Sequence, residues 1–254
     1  MTIARFAAAG LALVALTGTA MSASKDDTIS TAKGALEIHA IHHASLMLSW
    51  NGKTVLIDPA PLDEGDTGAE FKALPKPDVI VFTHGHYDHY NAHIALAIAG
   101  SATEILAPQD VYDAMPSALK IKTKMMRSGD TASADGIPVE AVAMYNITPE
   151  REKFHPKGHG NGYILTFGGK RIYIAGDTEE APELAHLEDI DAAFLPMNLP
   201  YTQSIDAAAH WVRDFKPRIV YPYHFRNGDG TRSDLDKFKA EVAGTSEVRV
   251  LEWY

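Results

Sequence analysis

"VFTHGHYDHYNAH", residues 81–93, is the stretch from which the rest of the chain can be read. It sets His84, His86, Asp88, His89 and His93 almost on top of one another. A globular core has no use for imidazoles at this density, because each buried ring nitrogen must find a partner. Metal coordination does have a use for them. The run that leads in, "DVIVFTH" (78–84), is unbroken apolar residues, the mark of a strand buried on both faces. His84 and His86, two apart, leave that strand end together and can address one centre. Asp88 and His89 then stand at the start of a helix expected over 88–99 and closed by Gly100, where they can face a second. His93 follows one helical turn after His89 and is read as structural.

Working outward, three more apolar runs end on a side chain that can ligate a metal or bind polar groups. "RIYIAGD" ends at Asp177, "RIVYPYH" at His224 and "DAAFLPMN" at Asn198. Ligands of α/β sheets bind beyond the carboxyl ends of the strands, so these ends are expected to converge. Two divalent ions that keep a position open for water need about six or seven protein donors. The opening motif supplies four, and His155, Asp177 and His224 complete the set. The two oxygens of Asp177 suit it to a bridging place.

Earlier residues read as hairpin strands, 36–49 and 53–60 around the "NG" turn at 51–52. Helical "QDVYDAMPSA" (109–118) follows, then strands at 139–146, 161–169, 171–178, 191–198 and 218–224, with helices near 204–215 and 233–243. Hairpins followed by strand–helix units predict one α/β domain over 36–254, a four-layer αββα sandwich with two sheets between helices. Residues 24–35 read as a polar linker.

The motif H-x-H-x-D-H after a buried strand, a mid-chain loop "FHPKGHG", Asp in "AGDT" and His at a late strand end resemble the metallo-β-lactamase superfamily. The likeness spans roughly 36–250, and within it the chain looks like the broad Zn-dependent hydrolase branch related to ascorbate-6-phosphate lactonases. The resemblance implies that His84, His86 and His155 hold one ion, that Asp88, His89 and His224 hold another, and that Asp177 bridges them. It favours His155 over His159 as the loop ligand. Asp88 would also orient the attacking water, making it the catalytic carboxylate. Asp58, ending "LIDP", is a candidate to hydrogen-bond a ligand histidine from behind. Asn198, Tyr201, Tyr145 and Lys157 are candidates for substrate contact, and His43 for the rim of the site. His39, His42 and His210 read as structural.

Composition narrows the chemistry. The chain has 254 residues, a formal charge of −10 and no cysteine. Disulfides, thiolate catalysis and cysteine-ligated zinc are excluded, so any metal is held by nitrogen and oxygen. Acidity without a basic run disfavours nucleic acid as a partner. A small-molecule substrate is expected. Zn²⁺ suits the donors best, and Mn²⁺ and Fe²⁺ accept the same set. Residues 1–23 have one charge, Arg5, then an apolar run, then small residues, the pattern of a secretory signal peptide cut after Ala20, Ser22 or Ala23. The mature protein is expected to be exported, periplasmic or secreted, and free of the membrane. The expected function is dinuclear-metal hydrolysis of an ester, lactone or phosphodiester. The alternatives are an iron-dependent oxidoreductase of the same fold, a true β-lactamase, and a non-catalytic metal-binding module. The oxygen-reducing diiron members carry Glu where this chain has His86, which argues against the first of these.

Overall fold

The structure is a computed structural model that describes residues 24–63 and 65–254; the expected signal segment, 1–23, lies outside them. The first sheet comprises β1 (Asp26–Thr31), β2 (Gly34–His42), β3 (Ser45–Trp50), β4 (Lys53–Ile57), β5 (Val79–Val81), β6 (Glu104–Ala107) and β7 (Thr123–Met125), in that spatial order. The second runs β8 (Thr131–Ala134), β9 (Ile137–Ala143), β10 (Asn161–Phe167), β11 (Lys170–Ile174), β12 (Ala192–Pro196), β13 (Ile219–Tyr223) and β14 (Glu247–Val248). In each sheet, antiparallel hairpins give way to parallel pairing, from β4 to β7 and from β11 to β14. Parallel neighbours send their carboxyl ends to the same edge.

Strand periodicity separates the layers. In β5, Val79 and Val81 join the core between the sheets, while Ile80 joins the one beneath the helices. Val55 and Ile57 alternate with Leu56 in the same way. Outside the first sheet lie α1 (Ala69–Ala73), α2 (Ala92–Ile98), α3 (Gln109–Ala114) and α4 (Ser117–Lys120). α5 (Pro149–Glu152) is a single turn in the loop that carries His155. α6 (Ile205–Phe215) and α7 (Leu235–Glu241) pack on the second sheet through Trp211, Val212 and Phe238, all buried. Each fully buried apolar side chain of this kind contributes about 1.5–3 kcal/mol. The layers are therefore helix, sheet, sheet, helix, as expected.

Four local expectations are corrected, the first being the strand over 36–49, which a turn at His43 and Ala44 splits into the hairpin β2–β3. The polar stretch 24–35 is no linker: Asp26–Thr31 is an edge strand in register with β2, from Asp26 opposite His39 to Thr31 opposite Gly34. Only Ile29 of the six is buried, so no apolar alternation announced it. Tertiary contacts hold it instead, since the Tyr221 hydroxyl donates to Asp27 Oδ2 at 2.7 Å and Arg249 Nη1 at 3.1 Å. The helix expected from 88 begins at Ala92, capped by Asn91, whose side chain accepts from His93 N and Ile94 N. Asp88 and His89 lie in the tight turn before it, where His89 N and Tyr90 N both donate to His86 O. The helix expected over 109–118 breaks in two at Pro116, which has no N–H to continue it.

Candidate metal centre

His84, Asp177, Asn198 and His224 do follow the carboxyl ends of β5, β11, β12 and β13, and they meet at one edge of the sandwich. Three of the residues that shape this edge are held in left-handed backbone: His43 (φ 53°), Asp58 (φ 43°) and His224 (φ 46°). Side-chain-bearing residues adopt that conformation at a cost of about 1–3 kcal/mol each, sustained only where the surroundings over-determine it. Gly176, one residue before Asp177, also has positive φ (67°). A Cβ there would lie 2.6 Å from Met144 Sδ and 3.0 Å from Thr83 Cβ, so the turn that delivers Asp177 accepts glycine alone.

The donors fall into groups around Asp177. His84 Nε2 lies 3.1 Å from His86 Nδ1, which lies 3.2 Å from His155 Nε2. His155 Nε2 is 3.4 Å from Asp177 Oδ2. On the other side, His89 Nε2 is 3.4 Å from Asp177 Oδ1, and His224 Nε2 is 3.3 Å from Asp177 Oδ2 and 3.6 Å from Asp88 Oδ2. Zinc–ligand bonds of about 2.0–2.1 Å make tetrahedral edges of about 3.3–3.4 Å, so these separations are those of ligand atoms around a cation. His89 Nε2, Asp177 Oδ1 and His224 Nε2 are buried with no hydrogen-bond partner. Buried polar atoms are rarely left so. Geometry and orphaned atoms both fit a metal.

Electrostatics agrees. Burial, reinforced by neighbouring His89, holds His84 well below the usual imidazole range, and burial with His155 lowers His86. Both rings are neutral, with lone pairs to give. Burial opposes charge on His89 and His224 as well, but Asp177 outweighs it, holding His89 well above its ordinary value and pushing His224 up to about 9. Burial of Asp177 and Asp88 is likewise outweighed by the facing histidines, which keep both carboxyls well below the usual range. Protons on His89 and His224 balance these carboxylates in the metal-free protein.

A second ring of contacts orients the first. Asp58 is fully buried: Oδ1 accepts from Thr83 N at 2.7 Å, and Oδ2 from Thr83 Oγ1 at 2.6 Å and His89 Nδ1 at 2.8 Å. This directs His89 Nε2 at the site, the part expected of Asp58. His155 Nδ1 donates to Tyr201 O at 3.1 Å, beside Asn146 Nδ2 at 3.2 Å. Asn146 was not singled out from the sequence; nothing in "YNITPE" marks it. His43 sits deeper than a rim residue. Its Nε2 is 3.0 Å from Asp88 Oδ2, its Nδ1 accepts from the Tyr254 hydroxyl at 3.0 Å, and its ring lies 3.8 Å from that of His224.

His159 is exposed and pairs with Asp110 at 2.6 Å, away from the centre, whereas His155 is in it. His93 is exposed, His210 pairs with Glu180 and Asp214 outside the site, and His39 pairs with Asp26. Asn198 and Tyr201 line the cavity over the donors, about 390 Å³. Tyr145 and Lys157 do not. They line a neighbouring cavity of about 230 Å³, where the Tyr145 hydroxyl donates to Glu183 at 2.6 Å and Lys157 pairs with Glu183. Both lie in the loop beyond β9, which ends at Ala143, and their shared contacts with Glu183 hold them there, while Asn146 reaches His155.

The family profile described as beta-lactamase superfamily domain matches residues 37–224. A UPF0173 metal-dependent hydrolase from Lysinibacillus sphaericus is 31% identical over 224 residues, covering 85% of this chain and 96% of that protein. A solved structure from Parabacteroides distasonis, provisionally described as a metal-dependent hydrolase, is 39% identical, with TM-score 0.80 over 91% of this chain and all of that one. A diiron β-hydroxylase from Streptomyces venezuelae, 18% identical, shares the fold alone, with TM-score 0.60 over 91% of this chain and 54% of its own. With matching sequence and fold, this chain belongs to the beta-lactamase superfamily and is a metal-dependent hydrolase of the metallo-β-lactamase fold.

Proposed function

We propose that the protein is an exported hydrolase that holds two divalent ions, most suitably zinc, and cleaves an ester, lactone or phosphodiester. The observation that carries this reading is the placement of Asp177 between two donor sets, with His84, His86 and His155 on one side and Asp88, His89 and His224 on the other. A carboxylate whose oxygens face both sets suits a bridge.

Bound there, two divalent ions would supply a water acidified from pKa 15.7 toward about 7 and Lewis-acid polarisation of the scissile oxygen. The chain's own residues do the rest. Asp88 Oδ2 is fixed by His43 at 3.0 Å, which leaves Oδ1 to accept a hydrogen bond from the attacking water. Asp88 is held well below the usual carboxylate range, so it stays ionised and is a weak base. Its main part is orientation, and a proton passes through it only toward a more basic leaving oxygen. Asn198 and Tyr201 shape the cavity wall against the substrate. The cavity falls within the ~300–1,000 Å³ typical of small-molecule sites.

The test is a panel of 4-nitrophenyl esters, lactones, bis-4-nitrophenyl phosphate and nitrocefin on purified protein with zinc, manganese and iron quantified. The expected result is turnover of an ester, lactone or phosphodiester, lost to a chelator and restored by zinc. An iron-only protein that consumes oxygen contradicts it, as does metal-loaded protein that turns over nothing. Preferential nitrocefin cleavage would make it a β-lactamase. Export is tested by N-terminal sequencing of the protein recovered outside the cytoplasm, with a start after Ala20, Ser22 or Ala23 expected.

A further inference from the structure

We infer that the substrate carries a second, non-reacting oxyanion, a carboxylate or phosphate, and that Arg226 selects for it. This rests on the hydrolase reading and names the substrate class of the same cavity.

Arg226 is the one lysine or arginine among the described residues that line the cavity. It follows His224 by two residues, so its backbone is tied to the metal centre. Its guanidinium lies 4.5 Å over the Tyr254 ring, and no described carboxylate pairs with it. A guanidinium stacked by its face keeps its edge N–H groups for an acceptor in the same plane. Carboxylate and phosphate oxygens match that fork. Tyr254 is itself held by its hydroxyl on His43 and its carbonyl on Arg232, so the platform beneath Arg226 is anchored rather than loose.

A second, independent observation comes from the same wall. Asn198 is fully buried and lines the cavity. Its backbone N–H donates to Thr202 Oγ1 at 3.1 Å, and the Thr202 hydroxyl proton is directed at Asn198 Oδ1 at 2.5 Å. The amide is thereby oriented, and Nδ2 is left with no partner. A buried donor without an acceptor is costly unless a ligand supplies one. Two residues with unmatched donor groups, one of them charged, therefore line a cavity whose acidic residues, Asp88 and Asp177, are committed to the centre. Phe154 and Leu62 line the same cavity and suit a short apolar spacer between the scissile bond and the anion.

The experiment compares metal-loaded wild type, Arg226→Gln and Arg226→Lys on three 4-nitrophenyl esters of equal chain length: neutral, carboxylate-terminated and phosphate-terminated. Binding of glutarate and of neutral glutaramide is measured in parallel by calorimetry, and melting temperatures check that the variants fold. Wild type should favour at least one anionic ester, mainly through KM. Arg226→Gln should cut the anionic-to-neutral ratio of kcat/KM by about 10- to 100-fold, the range of a charge-assisted hydrogen bond, with Arg226→Lys restoring part of it. Glutarate affinity should fall by a similar factor and glutaramide affinity should not. The carboxylate and phosphate arms identify which oxyanion is selected. An unchanged ratio, or equal loss on all three esters, overturns the assignment while leaving the hydrolase reading intact. If wild type turns over none of the three esters, the calorimetric comparison alone decides, and equal glutarate affinity in wild type and Arg226→Gln overturns the assignment; the hydrolase reading itself fails only if lactones and phosphodiesters are left intact as well.

Discussion

If the site holds two ions as proposed, replacing Asp58 with Asn should weaken one metal position and spare the other. Three donors converge on the buried Asp58 carboxylate: Thr83 N, Thr83 Oγ1 and His89 Nδ1. An asparagine of the same shape has one acceptor oxygen. If that oxygen keeps the Thr83 N–H, the amide nitrogen faces the Thr83 hydroxyl and His89 Nδ1. The hydroxyl can rotate and accept. His89 can accept only by moving its proton to Nε2, the atom that faces Asp177 at 3.4 Å and has no other partner. A protonated Nε2 cannot ligate. Loss of such an orienting contact costs about 10- to 100-fold in metal affinity, or about 1.4–2.7 kcal/mol. His84 should be spared, because its Nδ1 is 3.0 Å from Thr83 Oγ1, an oxygen that still has a lone pair for it. Titration against a chromophoric chelator near neutral pH should therefore show one weakened ion and one at wild-type affinity, with the metal-free fold retained by circular dichroism. Two affinities equal to wild type, or two weakened alike, would refute the tautomer argument.

Other perturbations separate the remaining parts. His155→Ala should remove an ion from the stoichiometry measured by mass spectrometry, whereas His159→Ala should leave it intact, since His159 is an exposed partner of Asp110 and such pairs contribute about 0–1 kcal/mol. Glu179, 5% exposed, accepts from Ile147 N, Thr148 N and Thr148 Oγ1 and pairs with Arg151, tying down the loop that carries His155. Burial raises its pKa, but the Thr148 and Arg151 contacts outweigh that and leave it below 4.5. Its contribution is thus fully present above 4.5 and is lost as pH falls through the lower folded value. In urea melts, Glu179→Gln should cost about 1–3 kcal/mol at neutral pH, with the gap to wild type closing in acid. Metal binding at neutral pH should expel the proton that Asp177 and Asp88 hold on His224, whose pKa is about 9. Apparent affinity should then fall about tenfold per pH unit for each proton released, read by calorimetry in buffers of different ionisation enthalpy.

The order of layers and the clustering of most candidate donors were legible because buried strands and closely spaced histidines both write local patterns. "DVIVFTH" reads as a strand because Val79, Ile80 and Val81 must satisfy two cores at once. His84 and His86 read as ligands because their spacing from that strand end leaves little else for them to do. The edge strand Asp26–Thr31 was not legible, since its stability lies in Tyr221 and Arg249, some two hundred residues away. Asn146 and the depth of His43 were hidden for the same reason, as each acquires its part only when distant segments meet. Tyr145 and Lys157 were near a ligand in sequence, but their contacts with the distant Glu183 hold them in another cavity.

The most direct test of the central claim is a crystal structure of the zinc-loaded protein with anomalous data collected on both sides of the zinc edge. Two anomalous peaks about 3.5–4 Å apart are expected. One should lie within about 2.0–2.2 Å of donors from His84, His86 and His155, the other within that reach of Asp88, His89 and His224, with Asp177 touching both. A single peak, or peaks that leave Asp177 or His224 outside bonding distance, would contradict the account.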